Sequence, residues 1–188
     1  MISPDEAGKT ILAAQKMTAT ERAALRVERL TQLVAFARKN SPFFQKLYAD
    51  LPENFSLKDI PYTTKAGLSA DYENWLTERG ITKKNVFEYL NADPSTRGLF
   101  RGKFTALATS GTTGEPMPMI RDMNRNIVHG TLIRLRLFPA ELLKYADAKQ
   151  SKIAAMIAAD PKASAYNAFL RLRAANPDYE KKFSACAD

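Results

Sequence analysis

Residues 105–122 read TALATSGTTGEPMPMIRD, and six consecutive positions, Thr109, Ser110, Gly111, Thr112, Thr113 and Gly114, place four hydroxyls and two glycines together. That composition suits a chain of phosphates. Phosphate oxygens need several N–H and O–H donors converging on one point, with no bulky side chain in the way. Gly111 and Gly114 permit positive φ and a close backbone approach, which turns consecutive amides inward as an anion nest. The hydroxyls add donors around the same volume. A hydroxyl-rich hairpin tip carries a similar signature, and a bare Gly-x-x-Gly would favour the tip; four clustered hydroxyls after an apolar run favour the cradle. The segment is not a Walker phosphate loop, because no Gly-Lys-Ser/Thr closes it. Gly98–Lys103 comes nearest to that pattern but has the wrong spacing.

The remaining chemistry-bearing residues are few. Arg121 and Arg125 follow the loop and could bond phosphate through their planar guanidinium groups, or form a solvated helix end. His129 is the single histidine and lies beside an apolar stripe, where a structural role is the commoner one. Cys186 is the single cysteine, so neither an internal disulfide nor a Cys-rich zinc site is expected. No carboxylates cluster around His129, so no metal site is read. Trp75 and the pair Phe43 and Phe44 are core or docking residues.

The formal charge of +8 favours anionic partners without choosing among them. Arg134 and Arg136, like Arg171 and Arg173, are two apart and point about 200° apart on a helix, so neither pair makes a stripe that nucleic acid could follow. Nucleotide, nucleic acid and coenzyme all fit that charge, and nucleic acid or anion binding by the basic surface of a truncated, non-catalytic chain is the alternative to an enzyme. No apolar run approaches the roughly 18 residues of a membrane span, and Met1–Lys16 lacks the apolar region of a secretory signal, which predicts no membrane association and a cytoplasmic location.

The loop has to be held by surrounding elements, and the sequence suggests which. Phe104–Thr109 is a short apolar, partly β-branched run that predicts a strand entering the loop, and Met117–Ile120 predicts a returning strand. Pro118 cannot donate a ladder hydrogen bond, which predicts an edge or irregular strand. Asp122 or Asn124 then caps a helix whose inward face would be Ile127, Val128, Thr131, Leu135 and Phe138. Residues 151–159 read as a buried strand, 163–175 as a helix and 181–187 as another strand. Upstream, Thr18 and Glu21 form a capping box for a helix running to about Lys39, with Ala23, Val27, Leu30, Val34 and Ala37 facing inward. Ser41 caps, and Pro42 opens, a short helix to Tyr48. Leu51–Tyr62 reads as a loop docked by its apolar residues, Thr63 or Thr64 caps a helix over Lys65–Ala70, and Lys83–Leu90 reads as a helical turn.

The expected fold class is α/β. A helical N-terminal arm with docking loops covers 1–103, and the start of an α/β sheet subdomain bearing the loop covers 104–188, both parts of one incomplete domain. Sheet edges left open by the alternating pattern suggest a fragment.

The run TSGTTGEP resembles the phosphate-binding motif of the adenylate-forming (AMP-binding) enzymes, a hydroxyl-rich Ser/Thr-Gly-Thr-Thr/Ser-Gly followed by x-Pro. ARKNSPFFQKLY and LKDIPYTTKAGL resemble the N-terminal region of the phenylacetate-CoA ligase branch, which includes the coenzyme F390 synthetase-like proteins. The three segments follow that branch's order over about residues 30 to 125. The resemblance implies the front part of a large N-terminal α/β domain. It implies a ligase in which ATP with Mg2+ and a small carboxylic acid give an acyl-adenylate, whose acyl group passes to a thiol such as coenzyme A. It places Thr109–Gly114 around the β- and γ-phosphates, with Pro116 fixing the exit. Met117 stands where many relatives have a lysine. The aromatic-Gly-x-Thr-Glu motif, the ribose-binding aspartate and the late lysine of the family have no counterpart in 123–188, so catalytic residues are not assigned and no turnover is expected of this chain alone.

Overall fold

The structure, a computed structural model, describes residues 1–93, 98–109, 115–137, 153–156, 162 and 183–186. Its content is mixed α/β and mostly helical. The chain divides into two compact units, Leu12–Asn85 and a second made of Met1–Ile11 with Val86–Asp188. Among the described residues, no helix is long and apolar enough to cross a membrane.

The Leu12–Asn85 unit is built on α2 (Ala19–Asn40), α3 (Pro42–Leu47), α4 (Lys65–Ala70) and α5 (Tyr72–Trp75), which follow α1 (Pro4–Lys16) in the chain. The Thr18 capping box is present: Glu21 N–H donates to Thr18 Oγ1 at 3.2 Å, and Thr18 N–H donates to Glu21 Oε2 at 2.7 Å. The same reciprocal pair opens α1 at Ser3 and Glu6, and a one-turn 3-10 helix over Leu57–Asp59 at Ser56 and Asp59. In each case the N-cap amide donates to the carboxylate, holding Glu6, Glu21 and Asp59 below the usual carboxylate range. The 3-10 turn was not expected within the docking loop.

Ser41 is the hub of this unit. It is 1% exposed, and its hydroxyl accepts from Phe44 N–H at 3.3 Å while facing Asn74 O at 2.8 Å and Trp75 O at 2.9 Å as a shared donor. Its own N–H donates to Ala37 O at 2.9 Å. One small side chain thus ends α2, caps α3 and receives the end of α5. The Arg79 guanidinium closes the same corner from outside, donating to Asn40 O at 2.9 Å, to Glu73 O at 3.3 Å and to Leu76 O. Carbonyls left open at helix C-termini are suited to such a cation.

Around this corner Val34, Ala37 and Tyr48 form the core, with Phe44, Leu47, Leu51, Phe55 and Ile60 packed against it. The 51–62 segment therefore docks by its apolar residues, although Leu57 and Tyr62 point to solvent. Only the C-terminal half of α2 is covered: Ala23 and Val27, expected inward, are exposed, because the cluster gathers around the last turns of the helix. Thr64 caps α4, donor Gly67 N–H at 3.0 Å, and α4 has the expected bounds.

In the second unit, β1 (Phe104–Ala108) and β2 (Pro118–Asp122) pair antiparallel, and α7 (Met123–Leu137) follows directly. α6 (Lys83–Asn91) carries the boundary between the units; from it Tyr89 donates to Gly98 O at 2.7 Å and packs edge-on against Phe100, ring centroids 5.3 Å apart. Arg101 and Gly102 turn the chain into β1 with φ of 50° and 72°, the left-handed region in which glycine costs least. The start of α1 belongs here as well, with Ile2 N–H donating to Asn124 Oδ1 at 2.9 Å. β3 (Ile153–Met156) and β4 (Phe183–Cys186) pair parallel. The single alternating sheet expected from residue 104 onward is not what the described strands form: they make two sheets of two strands each. The nine residues between β1 and β2 are too few for the crossover a parallel pair requires, so the pair closes on itself as a hairpin. The helix expected over 163–175, and Phe138, lie outside the described residues.

Ser41→Ala removes a cap and leaves the part-buried carbonyls of Asn74 and Trp75 without their donor. Urea unfolding should show a loss of about 2 kcal/mol. Tyr72 offers the opposite test. It is 3% exposed and its hydroxyl has no hydrogen-bond partner, so Tyr72→Phe should gain about 1 kcal/mol. Burial raises the Tyr72 pKa from 10.0 to about 12. The unfolded chain therefore ionises first, and this contribution to stability is complete below pH 10.0 and is lost as pH rises toward 12. Alkaline unfolding of Tyr72→Phe should lack that part of the slope.

Candidate functional site

The segment singled out by its composition sits on the β1–β2 hairpin. Phe104, Thr105, Ala106 and Leu107 are all buried, so β1 is covered on both faces and makes a fixed stem. Its pairing runs from Phe104↔Asp122 to Ala108↔Pro118. Ala108 N–H donates away from β2, to Lys162 O at 3.0 Å, which makes Ala108↔Pro118 a non-hydrogen-bonded pair. The absent N–H of Pro118 therefore removes no ladder bond, and the residue is fully buried. An edge or irregular strand was expected at Pro118; β2 is an edge of its two-stranded sheet, and the register lets it stay regular.

One step further along, Thr109 N–H donates to Met117 O at 3.0 Å, and Met117 N–H donates to Thr109 Oγ1 at 2.9 Å. These two bonds join the ends of the connecting segment. Of the six residues assigned to phosphate, Thr109 is half-buried at this junction, while Ser110, Gly111, Thr112, Thr113 and Gly114 lie outside the described residues. Met117 is 6% exposed.

The helix behind the hairpin is fixed at its first turn. Asp122, not Asn124, is the cap: its Oδ1 accepts from Arg125 N–H at 2.7 Å. Thr105 is 5% exposed, and its Oγ1 accepts from Asn126 Nδ2 at 2.9 Å and lies 3.4 Å from Arg121 O. This pair links α7 to the middle of β1 and was not foreseen; the available signal was a hydroxyl inside an otherwise apolar strand, which must find a partner when buried. Ile127, Thr131 and Leu135 are half-buried as expected, whereas Val128 is exposed, since one residue rotates about 100° around the helix. Arg121 is half-buried on β2, and Arg125 and His129 are exposed on α7.

No family model, curated protein or solved structure matches the chain.

Two other features bear on what can bind. A polar groove of about 430 Å³ in the Leu12–Asn85 unit is lined by Ser69, Asp71, Tyr72, Glu73, Lys83 and Lys84, among others. Lys83 Nζ donates to Ser69 Oγ at 2.8 Å and stands 6.0 Å from the Tyr72 ring centroid. Two lysines oppose two acids there, so the groove selects no charge. Among the described residues, no group of three or more His, Cys, Asp or Glu side chains could hold a metal ion.

Thr105→Val keeps the shape of β1 and removes the acceptor for Asn126. Chemical unfolding should show a loss of about 1–2 kcal/mol, and pairing it with Asn126→Ala should cost less than the sum of the two single changes.

Proposed function

We propose that residues 104–122 are the phosphate-binding hairpin of an ATP-dependent, carboxylate-activating ligase similar to the phenylacetate-CoA ligase branch of the adenylate-forming enzymes. The observation that carries this reading is the junction at Thr109 and Met117, where a hydroxyl-rich, glycine-containing segment joins the two strands of a hairpin whose first strand is buried, through paired hydrogen bonds. Donors fixed in advance stabilise charge on a leaving group better than donors that must reorganise, and in this reading the stem provides the fixed base.

In this reading the backbone amides and hydroxyls of 110–114 donate to the β- and γ-phosphate oxygens of ATP. The carboxylate of a small acid attacks the α-phosphorus and pyrophosphate leaves; a thiol such as coenzyme A then attacks the acyl carbon of the acyl-adenylate, loses its proton and releases AMP. Mg2+ would accompany the ATP and neutralise phosphate charge. The described residues offer that ion no cage of their own, and the contribution of this chain is the set of phosphate donors. In this reading Arg121 and Arg125, on the strand and helix that follow the loop, supply a cationic contact in place of the lysine that Met117 replaces.

Gly111→Val tests the reading directly, because a branched side chain would occupy the phosphate volume. Calorimetric titration with MgATP should lose its signal, while the melting temperature stays within about 1 °C of the wild-type value. Equal affinity in the two proteins would remove the assignment. Tight binding of DNA that falls steeply with added salt would favour instead a role for the basic surface.

A further inference from the structure

We infer that the polar groove of the Leu12–Asn85 unit is a binding site for a small zwitterion of the amino-acid class, its carboxylate taken by Lys83 and its ammonium group by Asp71 and Glu73. The inference does not rest on the nucleotide reading, because every residue lining the groove belongs to this one unit. The end of α4 and the start of α5 supply the lining from Ser69 to Asn74, and Thr82 with the first residues of α6 supplies the rest. The volume of about 430 Å³ suits a small molecule.

The charges in this groove are held by neutral partners. Lys83 is half-buried; its Nζ donates to Ser69 Oγ at 2.8 Å and stands 6.0 Å from the Tyr72 ring centroid, where the negative face of the ring favours an ammonium group. Asp71 is half-buried as well, and its Oδ1 accepts from Asn74 Nδ2 at 2.7 Å, while its side chain makes no cap bond to α5. Among the described residues, Asp71, Glu73 and Lys83 form no ion pair with one another. A neutral partner fixes the position of a charge without cancelling it. One groove thus presents a placed ammonium group and a placed carboxylate, each open to a counter-charge. A ligand with one charge of each sign satisfies both, whereas a plain anion or cation meets repulsion from the residue of its own sign. Tyr72 adds an independent observation: it lines the groove, is 3% exposed, and its hydroxyl has no hydrogen-bond partner. Buried polar groups in native folds are nearly always satisfied, and an unpartnered hydroxyl on a residue of the groove wall is a feature that binding there accounts for.

The test is heteronuclear NMR on the full chain, following the amides of 69–74 and 82–84 during titration with glycine, 4-aminobutyrate and glycylglycine. These probes separate the two charges by increasing lengths, and acetate and methylamine serve as singly charged controls. At least one of the three should shift those amides saturably, with a Kd about tenfold or more below that of either control. Lys83→Gln and Asp71→Asn keep a donor for Ser69 and an acceptor for Asn74 but remove the charge, and each should raise that Kd by about tenfold, the loss expected for one charge-assisted bond. Glu73→Gln, an exposed change, serves in place of Asp71→Asn should that variant lose its native circular dichroism, and the comparison with the controls in the wild type needs no variant at all. Equal affinity for acetate and for the zwitterions, or an unchanged Kd in both charge variants, would overturn the zwitterion assignment. Absence of saturable shifts with all three probes would overturn the site.

Discussion

Side-chain oxygens bonded to the main chain at the ends of short elements are the constraint on which this structure depends. α3, α4 and α5 span six, six and four residues, too few for internal hydrogen bonds to satisfy most of their amides and carbonyls. Those groups must be met from outside the helix or left to water. Ser3, Thr18, Ser41, Ser56, Thr64, Thr82 and Asp122 each accept from an amide at a helix start. Arg79 serves carbonyls at helix ends.

Ser41 shows why such a bond can organise more than its own helix. Most of the caps are exposed and act locally. Ser41 is buried and its hydroxyl faces carbonyls 33 and 34 residues away, so the cap of α3 is also a tertiary contact. A hydroxyl is suited to this place because it accepts an amide and offers a proton from one atom. The apolar cluster of Val34, Ala37 and Tyr48 then forms beside a corner whose polar groups are already satisfied, and burial there leaves few main-chain groups unpaired.

The same device recurs in the hairpin. Thr105 on β1 and Thr109 just past its end each engage a neighbouring segment through the hydroxyl: Arg121 O on β2 and Asn126 on α7 for the first, Met117 N–H for the second. β-branched residues suit a strand because their χ1 is restricted, and threonine adds an oxygen at a fixed place along it. Both hydroxyls therefore serve the stem of the hairpin.

Much of the local structure was legible in the sequence because it is decided within one turn of chain. The Thr18–Glu21 box, Ser41 before Pro42, Thr64 before α4 and the strand at Phe104 each rest on neighbours a few residues apart, and the backbone follows them. The composition of Thr109–Gly114 likewise marks a candidate site without any fold, since donors and glycines are properties of the residues themselves. Only the tertiary structure decided which apolar residues are buried. Ala23 and Val27 keep the helical spacing of Val34 and Ala37 but lie outside the cluster, and Val128 sits one step off the covered face of α7. It also decided that Pro118 falls on a non-hydrogen-bonded pair, that Met117 is a core residue and that the Thr109 hydroxyl accepts from Met117 N–H. Register and burial depend on what the rest of the chain brings alongside, and periodicity within a segment carries no record of that.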